Sequence, residues 1–143
     1  MIKEIRQYIK ESIACVDPNM KMDRQPLTND TIPTTQIDST YTITFGSVSL
    51  DRQDTSIEGV FPVSVQIFRK LGTNPNESFD TAFVKALSIY STISDQERLF
   101  QSGYIKAINN VDLTANNVAS DDNTAVFDMQ FNMICEFTIL NGN

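Results

Sequence analysis

The stretch AVFDMQFNMICEFTIL, Ala125 to Leu140, limits what this chain can fold into more than any other. Phe127, Met129, Phe131, Met133, Cys135, Phe137 and Ile139 occupy its odd positions, while Asp128, Gln130, Asn132, Glu136 and Thr138 fill most of the even ones. Side chains alternate between faces along a strand, so the pattern reads as one long β-strand with a continuous apolar face. A strand of about 15 residues runs roughly 50 Å, against the usual five or six residues. A compact domain of 143 residues has a diameter near ~40 Å. Such a strand either coils around its own core or breaks at a bulge, or its end and the polar tip before it reach a neighbouring subunit, because edges and projecting hairpins are templates for pairing.

The remaining chain supplies partners for that strand. Ile2, Ile5, Ile9, Ile13 and Val16 recur at three- and four-residue steps and predict an amphipathic helix over 2–16, stopped at Asp17-Pro18. Residues 19–39 are polar, carry Pro26 and Pro33 and show no period, which predicts a long loop or arm. TYTITFGSVSL and VFPVSVQIF alternate as strands and form a hairpin, with a bulge or bend expected at Gly46. Pro62 cannot donate a ladder hydrogen bond and is expected at an edge or a strand start. A second helix is predicted from about Phe79 to Ile93, with Phe79, Phe83, Ala86, Leu87 and Tyr90 on its apolar face and Ser78 or Asn76 as N-cap. SDQERLFQSG then reads as an irregular turn, and YIKAINNVDL pairs with the opening strand through the polar tip TANNVASDDNT. The expected fold is one α+β domain over 1–143: a four-stranded antiparallel sheet of two hairpins packed against two helices, in the order α-β-β-α-β-β. Its expected core includes Ile5, Ile9, Phe83, Leu87, Phe131, Met133 and Cys135.

Chemistry is scarce. The chain has no histidine, which removes Ser-His-Asp and Cys-His arrangements and His-ligated metals. Neither G-x-G-x-x-G nor G-x-x-x-x-G-K-[ST] occurs, so no nucleotide or other cofactor is expected. Asp51, Asp54 and Glu58 on one loop, and Asn117, Asp121, Asp122 and Asn123 on another, are oxygen-rich but match no EF-hand pattern, and they read as solvated turns; no metal is expected. Cys15 and Cys135 lack metal-ligand spacing and are expected to be buried free thiols in a reducing cytoplasm. No apolar run is long enough to span a bilayer, and MIKEIRQYIKE lacks the apolar core of a signal peptide, so no membrane association is expected. The net charge is −7, and after Lys106 the chain carries five acidic and no basic residues, a composition that will not grip nucleic acid. No enzyme is expected.

The helix MIKEIRQYIKESIACV, the hairpin TYTITFGSVSL to VFPVSVQIFRK, the helix SFDTAFVKALSIYSTI and the hairpin YIKAINNVDL to VFDMQFNMICEFTIL together resemble, in order and size, the tail terminator (tail completion, head-tail joining) proteins of long-tailed bacteriophages. That resemblance implies a virion structural protein, assembled in the host cytoplasm. It further implies a homo-oligomeric ring of six subunits that caps the tail tube, ends its polymerisation, contacts tail-tube and head-connector proteins and lets DNA pass without specific binding. Arg52, Asp54, Asp121, Asp122, Ile139 and Leu140 are the candidate subunit contacts. The alternative is a monomeric α+β binding module that recognises a protein or peptide through an exposed sheet edge.

Overall fold

The computed structural model describes residues 2–22, 40–118 and 121–138, with the strand ends 116–118 and 121–123 described by backbone alone. Most of the expected arm 19–39 and the candidates Ile139 and Leu140 therefore lie outside the described residues. The elements are α1 (Ile2–Val16), β1 (Lys21–Met22), β2 (Thr40–Phe45), β3 (Ser49–Arg52), β4 (Ser56–Lys70), α2 (Pro75–Ile93), α3 (Gln96–Ser102), β5 (Ile105–Val118) and β6 (Asp121–Thr138). The sheet order is β1-β2-β4-β6-β5, with β3 lying beside β4 below β2. The α+β class thus holds, but among the described residues the sheet has six strands and the helices number three, not four and two.

Two of the differences have simple causes. The expected first strand breaks in two at Gly46: Phe45 sits opposite Val63 and Ser49 opposite Val60, so three residues on one side face two on the other. This bulge explains how Pro62 stands in the middle of β4 and not at an edge. Its missing N–H falls where no partner strand needs it, while its carbonyl accepts from Gly46 N at 2.9 Å. A Cβ on Gly46 would lie 3.2 Å from Pro62 Cβ, so glycine lets the bulge close. Second, SDQERLFQSG is no irregular turn but holds α3. The Asp95 side chain accepts from Arg98 N at 3.1 Å, and Gly103 ends the helix at φ 80°.

β4 and β6 pair in register over fifteen residues, from Ser56↔Thr138 to Lys70↔Thr124. β6 is an interior strand, flanked by β4 and β5. The polar tip expected at 114–124 is strand over its described residues: β5 continues to Val118 and β6 begins at Asp121. At the other edge, β1 adds a short parallel strand to Thr40 and Tyr41, inside the segment read as loop.

One face of the sheet is apolar and carries the helices. Ala125, Phe127, Met129, Phe131, Met133 and Cys135 of β6 are buried beside Phe61, Val63, Val65 and Ile67 of β4. Against them pack Ile5, Ile9 and Ile13 from α1 and Ala82, Ala86, Ile89 and Ile93 from α2. Phe83 is half-buried and leans on Phe127, with ring centroids 6.3 Å apart. Leu87, expected in the core, is 45% exposed. The buried stripe of α2 runs through Ala82, Ala86, Ile89 and Ile93, and Leu87 projects roughly 120° round the helix from it at ~100° per residue. The α2 N-cap is Asn74, followed by Pro75, and neither Ser78 nor Asn76. Cys15 is exposed and only Cys135 is buried, correcting the expected buried pair.

Candidate assembly surfaces

The structure sends the candidate contacts to opposite ends of the sheet. Arg52 ends β3 and Asp54 lies in the turn into β4; both are exposed, at the end where β6 leaves the sheet at Thr138. Asp121 and Asp122 open β6 at the far end, roughly 55 Å of strand away at ~3.3 Å per residue. They form no single site.

Between these ends, the face turned away from the helices is polar. Ser64 Oγ donates to Asp128 Oδ1 at 2.7 Å, Gln130 Nε2 to Asp128 Oδ2 at 3.1 Å, and Thr42 Oγ1 to Gln66 Oε1 at 3.3 Å. A trough crosses this face, lined by Thr44, Gly46, Pro62, Asn110, Gln130 and Asn132 among others. The Gly46 bulge borders it on one side. On the other, β5 is bulged between Asn109 and Asp112, where Asn110 has φ 54°. Bulges on both flanks curl a sheet, which accounts for the concave surface.

Near the Thr138 end, Asp51, Glu58 and Glu136 stand opposite one another on β3, β4 and β6. Three aligned carboxylates repel. Lys106 relieves this, its Nζ lying 3.0 Å from Glu58 Oε2 and 2.9 Å from Glu136 Oε2. The two glutamate partners raise its pKa above the ordinary lysine value. Sequence reasoning missed Lys106 as a working residue, although its being the last cation in the chain was the available signal.

The helix side of that end is held together by side-chain contacts. Arg98 lies over the Tyr8 ring at 4.7 Å and donates to Ser12 Oγ and, at 3.0 Å, to the Thr92 carbonyl, tying α3 to α1 and to the end of α2. Tyr104 Oη donates to the Glu4 carbonyl at 2.8 Å while its ring stacks on Phe137. Burial pushes the Tyr104 hydroxyl up to about 12 and the Cys135 thiol up to about 12, so neither is poised to react. Lys85 holds Asp17 at 2.7 Å and lowers that carboxyl below the ordinary aspartate range. Among the described residues no group of three or more His, Cys, Asp or Glu is placed to hold a metal ion, and no helix is long and apolar enough to cross a membrane.

No family model matches the chain, and no curated protein matches it. A solved structure described as "Virion of native gene transfer agent (GTA) particle" contains a similar chain, with 10% sequence identity and a TM-score of 0.40, covering 90% of this chain and 92% of that one. A likeness at that level is below what establishes a shared fold.

Proposed function

We propose that this protein is a virion structural component that works by assembly and not by catalysis, as a ring subunit of the tail-terminator kind. In this reading six copies cap a tail tube, end its polymerisation and join tail to head. The observation that carries it is the fifteen-residue pairing of β4 with β6, roughly 50 Å at ~3.3 Å per residue, with the exposed candidates at one end and the acidic tip at the other. A closed ring requires two different patches on each subunit, because each contact is heterologous. Patches at opposite ends of a long sheet meet that requirement. The α+β class of the fold is the one that the tail-terminator resemblance implies.

The charge balance of the polar face supports the passage of DNA without binding. Asp51, Glu58, Asp112, Asp128 and Glu136 take register positions on this face against Lys21, Lys70 and Lys106, and Lys106 is engaged by two glutamates. Phosphate gripping requires clustered cations that release counterions.

Sedimentation and negative-stain microscopy over a range of concentrations, with and without isolated tail tubes, test the proposal. Rings in solution or at tube ends are the expected result. A strict monomer that ignores tube ends and captures an extended peptide along its free sheet edge would instead mark a binding module.

A further inference from the structure

Among the described residues the sheet has two regular free edges, and they lie at diagonally opposite corners. On the β4 side, β3 (Ser49–Arg52) is exposed along its whole length and pairs, among the described residues, with β4 alone. The upper part of that side is different, because β1 covers the start of β2. On the β6 side, the first half of β5 is interrupted by register shifts at Ile105/Ala107 and Asn109/Asp112 and carries Lys106, all of which discourage strand addition. Beyond Asp112 the pairing runs regularly to Asn117, with no lysine and no proline. That half of β5 is an edge without the usual protection.

Strand direction and face both match between the two edges. β4 and β5 are each antiparallel to β6, and β3 is antiparallel to β4. A β3 laid beside the β5 of another copy, helix sides aligned, therefore continues the sheet in antiparallel order. The side chains agree as well. Leu50 and Arg52 point to the helix side of β3, as Leu113 and Ala115 do on β5, while Asp51 and Thr114 point to the polar side. Leu50 is 60% exposed in the protomer, and this pairing gives it apolar neighbours on its own face.

Resting on the ring reading above, we infer that the subunit contact is a β3–β5 strand pairing between copies, with Leu50 opposite Ala115, Asp51 opposite Thr114 and Arg52 opposite Leu113. The register one pair away would set Asp51 against Asp112 and is disfavoured by like charge. The chosen register also sets Arg52, the one cation of β3, opposite Leu113, the chain neighbour of Asp112, in the third of the chain that has no cation. Within one copy, Leu50 stands at the level of Cys135 and Ala115 at the level of Phe127 on β6, so pairing them between copies staggers the sheet by eight β6 positions. A stagger of one sign, repeated from copy to copy, tilts the strands and lets a sheet close on itself instead of growing as a flat ribbon.

The test uses the full chain in a Cys15→Ser background. Asp51→Cys and Thr114→Cys variants are prepared separately, mixed and oxidised. Disulfide-linked dimers should form in the mixture and not in either variant alone, because the contact is heterologous. Leu50→Lys and Thr114→Lys, both at exposed positions, should weaken self-association by about tenfold or more without shifting the thermal midpoint of the protomer. Rings that persist in the lysine variants and give no mixed cross-link overturn the strand pairing while leaving the ring reading intact. A wild-type chain that never associates, even with tail tubes, overturns both.

Discussion

At the scale of single residues, the protein shows how an acidic chain tolerates its own charge. Asp51, Glu58 and Glu136 would repel across three adjacent strands, and one lysine with two close oxygens offsets much of that. Replacing Lys106 with Gln should lower the thermal midpoint at pH 7. The loss should shrink at high salt, which screens the charges. A scan of melting temperature across salt concentrations checks this; a loss that persists unchanged at high salt would mean that Lys106 acts through packing. The alkaline side is governed by other groups. Cys135 stays neutral to about 12 in the folded chain, against 9.0 for a free thiol, so its contribution is complete below 9.0 and falls away as pH rises toward 12. Tyr104, likewise raised to about 12, adds a loss that begins above 10.0. Chemical denaturation at stepped pH should therefore show stability falling from about pH 9. Cys135→Ala should flatten the first part of that fall, while costing roughly 1–2 kcal/mol at neutral pH through lost packing.

At the scale of elements, α2 offers a sharp check on which side faces the core. Ile89→Ala should cost about 2–4 kcal/mol, since Ile89 is fully buried, whereas Leu87→Gln should stay within about 0.5 kcal/mol. Equal losses in urea unfolding would contradict the helix orientation. Gly59→Ala tests the β3–β4 hairpin in the same way. The new Cβ would stand 2.5 Å from the Phe61 ring, so the ring must move and the hairpin should loosen. Helix α1, the Gly46 break and the two-faced character of β6 were legible in the sequence because each writes a period or a punctuation mark into consecutive residues. What was not legible depended on tertiary choice. Leu87 falls on a plausible apolar stripe, and only docking against the sheet selects Ala82, Ala86, Ile89 and Ile93 in its place. The polar tip was misread because Thr114 to Thr124 has loop composition, yet its backbone can extend a ladder already set by β5 and β6. Helix α3 was readable after all, from Asp95 at its start and Gly103 at its end.

At the scale of the whole molecule, the long strand that first raised the question turns out to be interior and not an edge, with β4 beside it for fifteen residues and β5 on its other flank. In the proposed ring its length serves assembly through its neighbours. The strand carries the sheet from the exposed β3 hairpin at one end to the regular part of β5 at the other, which in that reading gives each copy two different places to meet the next. Of the candidate contacts, Arg52 lies within that scheme and Asp54 in the turn that follows it, while Asp121 and Asp122 mark the opposite end of the sheet. The measurement that bears most directly on the account is the mass of the purified wild-type chain by sedimentation equilibrium, alone and with tail tubes, beside electron micrographs of the same samples. The account predicts closed rings of one size, six copies, in solution or at tube ends. A single species of 16.1 kDa at every concentration, with bare tube ends, would contradict it.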